Sequence, residues 1–186
     1  KYEIDNLKDK LNGKTPINYE DLLFLISSHG SYYELKIVLN ENTSMKIAKS
    51  EPKECYDLSK LDTSEITNMD YIFKYSMFNG DISNWDVSNV STMNQMFYDA
   101  RYFNQNINSW DVSNVIDMSY MFYKSREFNQ PLNQWNTSKI IDMKGMFACA
   151  ESFNQDISSW DVSNVTNMRI MFAETKVFNQ NIENWN

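Results

Sequence analysis

The chain has 186 residues, 42% of them apolar and 15% aromatic, with 25 acidic and 17 basic side chains and a formal charge of −8. That apolar and aromatic content excludes wholesale disorder, and the length fits one ordinary domain. Net acidity without a Lys/Arg cluster argues against nucleic acid as partner, because a nucleic-acid binder carries a basic patch or stripe. No apolar run approaches the ~20 residues of a membrane span.

In chain order, residues 1–55 carry no repeat. Pro16 to Ser28 reads as a helix with Pro near its start. The alternating segments 33–39 and 44–49, joined through 40–43, read as a hairpin. Helix and hairpin together form an expected capping subdomain over residues 1–55, because the end of a repeat stack needs a polar lid. Cys55 and Cys149 lie almost four repeats apart. With ~4.8 Å per stacked strand, they exceed the ~7 Å reach of a disulfide, and both read as free thiols. The chain starts at Lys1 rather than Met and stops at Asn186 inside a repeat, as a trimmed or mature fragment does; no signal peptide is visible.

From residue 56 the chain repeats. Trp85, Trp110, Trp135, Trp160 and Trp185 recur every 25 residues. A constant period of this size signals one supersecondary unit per repeat, stacked on its neighbours. The copies span 81–105, 106–130, 131–155 and 156–180, and 181–186 opens another. A degenerate copy, 56–80, has Leu61 in the Trp place and is one residue short between Phe73 and Phe78. Ile82, Trp85, Val87, Val90, Met93, Met96, Phe97 and Phe103, with their equivalents, form apolar columns that supply the expected core. Trp85-Asp86-Val87-Ser88 alternates like a half-buried strand. Met93, Met96, Phe97 and Ala100 follow helical spacing. The expected fold is therefore α/β: a right-handed, leucine-rich-repeat-like solenoid with one short parallel strand and one short helix per 25-residue repeat, over residues 56–186.

The Val-x-x-Met-x-x-Met-Phe-x-x-Ala-x-x-Phe run from Val90 to Phe103, followed by Ile107-x-x-Trp110-x-Val112, resembles the leucine-rich repeats of BspA-like bacterial surface proteins. The fuller Trp-Asp-Val-Ser-Asn-Val…Met-Phe…Phe-Asn-Gln register is similar to 25-residue repeats of mycoplasma and other bacterial lipoprotein-like surface proteins. The resemblance covers 56–186. It implies a bacterial cell-surface or secreted protein that binds host or matrix components.

Alternation places Trp85 and its equivalents inside, as core rather than as sugar platforms. Asp62, Asp86, Asp111, Asn136 and Asp161 then point outward, with a Ser two residues after each. Three readings stand for this column: Asx-turns that end the strand, a calcium site, or a polar partner-binding face. The near absence of glycine, four in the chain, weighs against a calcium β-roll. The unbroken column Asn79, Asn104, Asn129, Asn154, Asn179 reads as a buried ladder that satisfies turn backbone. Tyr71, Tyr75, Tyr98, Tyr102, Tyr120 and Tyr123 cluster in the first three copies on the expected helical side. They are the best surface candidates for a partner, against a bland reading as packing beside the core.

Catalysis lacks parts. There is one histidine, His29, no nucleophile beside a base, no metal-ligand cysteine spacing and no phosphate loop. Four Asn-x-Ser/Thr sequons, at Asn42, Asn89, Asn136 and Asn164, read as by-products of turn chemistry. The expectation is a non-enzymatic, cofactor-free and monomeric adhesion module, displayed on or secreted from a bacterium, for a protein or glycan on a host or neighbouring cell. A structural spacer or coat repeat, or a calcium-dependent adhesin, are the alternatives.

Overall fold

The computed structural model describes residues 4–27 and 56–186. The expected hairpin, His29 and Cys55 lie outside the described residues. Two helices are described, α1 (Ile4–Leu11) and α2 (Tyr19–Ser27). Gly13, at φ +68°, closes α1: its amide donates to the Lys10 carbonyl and the Lys14 amide to the Asp9 carbonyl, the two bonds of a left-handed helix stop. A Cβ at Gly13 would lie 2.4 Å from the Lys60 carbonyl oxygen, so glycine also lets this stop seat on the first copy. Asn18 caps α2 through Oδ1, 2.8 Å from the Asp21 amide. The chain between the helices pairs with the repeats: Pro16 bridges Asp62 in parallel, and the Ile17 amide donates to the Asp62 carbonyl at 2.9 Å. Leu22, Leu25 and Ile26 of α2 join Leu58 and Leu61 in one continuous core.

Each later copy lies on the one before, through three kinds of bond that recur at the repeat period. Parallel bridges run Asn68–Thr92–Asp117–Asp142–Asn167. They fall after Val90 and its equivalents, not on the Trp-Asp-Val-Ser segment expected to be the strand. That segment keeps its alternation, Trp85 and Val87 buried and Asp86 exposed. Its local bonds, however, are turns: the Trp85 amide donates to the Ile82 carbonyl and the Val90 amide to the Val87 carbonyl.

The expected Met–Phe helix is also replaced by turns. The amides of Met93, Gln95, Phe97 and Asp99 donate to Asp117, Ser119, Met121 and Tyr123 of the next copy. The amides of Met96, Tyr98 and Ala100 turn back to carbonyls three residues earlier. Such alternation needs left-handed residues, and Gln95 (φ 54°) and Asp99 (φ 52°) supply them. The same pair of sites recurs as Tyr71/Tyr75, Tyr120/Lys124, Gly145/Cys149 and Ile170/Glu174. Left-handed non-glycine residues cost roughly 1–3 kcal/mol each; here the bonds to the next copy offset the strain. An α-helix would spend every amide within its own segment and leave the neighbouring copy unpaired. Spacing of i, i+3, i+4, i+7 therefore records which side chains face inward, not a helix.

Aromatic columns fill the interior. Phe73, Phe97, Phe122, Phe147 and Phe172 stack in sequence at 5.1, 5.4, 5.6 and 5.9 Å, their planes within 8°. Each also packs on its partner in the second Phe column, as Phe97 does on Phe103 at 4.1 Å. The Trp rings of the pairs Trp85–Trp110, Trp135–Trp160 and Trp160–Trp185 run parallel at 6.2–6.4 Å. Every indole N–H donates to the copy below: Trp85 to Leu58, Trp110 to Ile82, Trp135 to Ile107, Trp160 to Leu132 and Trp185 to Ile157, at 2.9–3.3 Å. Where Thr63 and Thr137 replace the buried Val, the hydroxyl donates to the carbonyl of Asp86 or Asp161 in the next copy. In the short first copy Ser76 Oγ accepts the Phe78 amide, a bond that Phe103 makes to the Ala100 carbonyl.

Trp110 thus has an apolar and a polar role that can be separated. Trp110→Phe removes the N–H together with part of the ring and should cost about 1–3 kcal/mol, whereas Trp110→Ala should cost about 3–5 kcal/mol. Chemical denaturation of the two variants measures both; a Trp110→Phe chain as stable as the parent would mean that the indole bond contributes nothing.

Candidate functional site

The outward groups of each copy fall into two sets. Phe97 of one copy meets Trp110 of the next, with ring centroids 6.4 Å apart. The Trp half and the Phe half of the coil therefore pack their inward faces together, and their outward faces point away from each other.

On the Trp half, the aspartate column forms the expected Asx-turns. Asp86 Oδ1 accepts the Ser88 amide at 2.9 Å and its hydroxyl at 2.6 Å. Asp62, Asn136 and Asp161 make the same pair of bonds to the Ser two residues on, and Asp111 accepts the Ser113 amide at 3.1 Å. A second such column, unnoticed in the sequence, includes Asp57, Asp81, Asn106 and Asp156; its signal was an Asp or Asn two residues before a Ser or Asn. Donation by the Ser hydroxyl and amide holds the carboxyls of Asp57, Asp86, Asp156 and Asp161 below the usual carboxylate range. At Asp81 the Ser83 amide leads. Among the described residues no group of three or more His, Cys, Asp or Glu gathers to hold a metal ion.

The Asn column is a ladder, half-buried or exposed rather than buried. Oδ1 of Asn79, Asn104, Asn129 and Asn154 accepts the backbone amide of the next Asn at 2.9–3.0 Å. The same oxygen accepts Nε2 of the Gln that follows that Asn, at 2.9–3.1 Å. Both residues of the Phe-Asn-Gln signature are thereby explained. Beside it lies a shallow groove of about 390 Å³ lined by Asp81, Ser83, Gln105, Asn106, Asn108, Ser109 and Gln134.

On the Phe half, five of the six tyrosines come together with lysines. Tyr75 meets Tyr98 edge-on at 5.5 Å, Tyr98 stacks on Tyr123 at 4.6 Å, and Tyr123 meets Tyr120 edge-on at 5.7 Å. Lys74 Nζ sits 4.8–5.3 Å from the ring centres of Tyr71, Tyr75 and Tyr98, and donates to Gln95 Oε1 at 2.7 Å. Lys124 lies over Tyr123 and Lys144 over Tyr120, the geometry of cation–π attraction. Burial lowers the Lys74 ammonium from its ordinary value and pushes the Tyr98 phenol up to about 12, keeping it a neutral donor. Tyr102, 46% exposed, stands on the same half, and Tyr71 is 42% exposed. The lysines of this surface were missed in the sequence, because they fall at different positions in successive copies and only the stack unites them.

A family model described as "Mycoplasma protein of unknown function, DUF285" matches residues 42–148 and 107–186. The chain belongs to this family. For this DUF285 protein, comparisons with curated proteins and with solved structures gave no match. No helix among its described residues is long and apolar enough to cross a membrane.

The turn carboxyls give an acid signature. Their native values lie below the ordinary 3.8, so the folded state holds fewer protons than the unfolded one around pH 3–4. Their contribution is complete above the unfolded value and is lost as pH falls through the folded ones. Asp70, raised by burial, opposes this. Replacing Asp81, Asp86, Asp156 and Asp161 by Asn, the residue already at position 136, should preserve the turns and flatten the fall in melting temperature between pH 5 and pH 3.

Gly145 tests how the Tyr surface is packed. At φ +59°, its added Cβ would lie 2.5 Å from the Tyr120 ring. Gly145→Ala should destabilise by about 1–2 kcal/mol, and by less in a Tyr120→Ala background; an unchanged cost would place the whole effect in the backbone.

Proposed function

We propose that this protein is a non-catalytic adhesion module, displayed on or secreted from a bacterium, that binds a protein or glycan on a host, matrix or neighbouring cell. Its fold would be a right-handed solenoid related to the leucine-rich repeats of BspA-like surface proteins. The observation that carries the reading is the Tyr–Lys surface. Aromatic rings and ammonium groups are held at fixed positions by stacking from copy to copy, with Tyr71 and Tyr102 left open to solvent. A partner would lose little side-chain entropy on that side, which is where affinity is gained, and Tyr is the kind of residue that anchors interfaces. The aspartate column is the weaker candidate, since an oxygen of each carboxylate is already engaged in its own turn.

The protein would be immobilised and probed with matrix proteins and a glycan array at micromolar concentration, with and without calcium. Binding should fall at least tenfold in Tyr71→Ala/Tyr102→Ala while the melting temperature stays within about 2 °C, since exposed substitutions cost little. Silence across both panels would overturn the reading. Dependence on calcium would shift it to the carboxylates.

A further inference from the structure

Charge is segregated around the coil. Over residues 56–186, the Trp half (segments equivalent to 80–93) carries eleven acidic and two basic side chains. The Phe half (segments equivalent to 94–104) carries five acidic and seven basic ones. Three of those five acids and two of the seven bases are engaged on this half: Asp99 is buried against Arg101 at 2.8 Å, Glu151 lies 3.4 Å from Arg126, and the half-buried Asp70 accepts from Thr92 and the Asn94 amide. Every full copy and the degenerate one contribute at least one acid to the first half and one base to the second. Lys74, Arg101, Arg126, Lys144 and Arg169 are one such base from each.

We propose that the basic face of one molecule docks on the acidic face of a second copy of this chain, so that stacks pack side by side. The partner is identified by register as well as by sign. Both halves contribute charge in every copy along the same axis, with the ~4.8 Å rise of paired strands, so the basic half of one molecule, whose bases fall at different positions from copy to copy, meets an acidic half of the same period on the next. A host ligand has no such built-in match, and the contact does not depend on one. Because two different faces meet, the contact is heterologous and does not close on itself: each added copy leaves one face of each kind free, and the product is an open row. Exposed charge pairs are individually weak and salt-screened, so the dilute chain stays monomeric. Tethering many copies on one surface raises their effective concentration and favours the row.

Sedimentation of the whole chain at ~1 mM in low salt should show a weight-average mass at least twice the 22.0 kDa monomer, returning to monomer near 1 M salt, where the screening length is ~3 Å. A basic-face variant, Arg126→Glu/Arg169→Glu/Lys176→Glu, should remain monomeric. So should an acidic-face variant carrying Asp86→Asn, Asp111→Asn, Asp161→Asn, Asn89→Lys and Asn164→Lys; Asn and Lys already occupy these columns at Asn136 and Lys139. Melting curves matching the parent chain establish that each variant folds. Mixing the two variants should restore association, since one now offers acid where the other offers base. A parent chain that stays at 22.0 kDa throughout overturns the proposal. So does association that survives 1 M salt, which would point to the exposed Ile116 and Ile141 instead, or a mixture that fails to associate.

Discussion

Every copy is completed by its neighbour. The amide of Phe97 has its acceptor at Met121, the indole of Trp110 at Ile82, and the amide of Asn129 at the side chain of Asn104. None of these bonds forms in an isolated 25-residue unit. Buried backbone groups left unpaired cost about 1–3 kcal/mol each, so a single copy has no stable fold and the energy resides in the contacts between copies. This is why the period tolerates so little variation. A shift of one residue would move donors and acceptors out of line in several columns together. The one shortened copy, 56–80, absorbs its missing residue where Ser76 can stand in for a backbone acceptor.

That constraint also explains the left-handed residues. Sending alternate amides to the neighbour requires the backbone to reverse its peptide planes twice in each Met–Phe segment. The two sites of reversal accept Tyr, Gln, Asp, Lys, Cys, Ile and Glu as well as Gly, so pairing between copies outweighs the preference for glycine. Of these side chains, Tyr71, Tyr75, Tyr120 and Lys124 form part of the Tyr–Lys surface, whereas Asp99 is buried against Arg101. A structural necessity of stacking thus helps to set where that surface lies. On the other half, Asx-turns hold carboxylates outward in every copy but 131–155, where Asn136 makes the turn, and the polarity of the molecule follows.

The N-terminal helices solve the opposite problem. The first copy offers an exposed core and unpaired backbone, and the segment around Pro16 and Ile17 pairs with Asp62 while α2 covers Leu58 and Leu61. In the last described copy, Phe172, Phe178 and Trp185 are partly buried.

The linear order of residues determined the period, the membership of the columns, the inward set and the Asx-turns. Each of these depends on chemistry within a few residues or on identity between copies. Its reading of secondary structure failed at two points for one reason. Alternation around Trp85 and helical spacing around Met96 report which side chains are buried, and burial periodicity does not say which backbone group bonds to which. Only the stacked structure decided that: amides that a helix would keep were given to the next copy, and parallel pairing moved to Thr92 and its equivalents. The contacts of Lys74 with Tyr98 and of Lys144 with Tyr120 were likewise invisible along the chain, because each joins residues 24 positions apart that are brought together only when the copies are laid on one another.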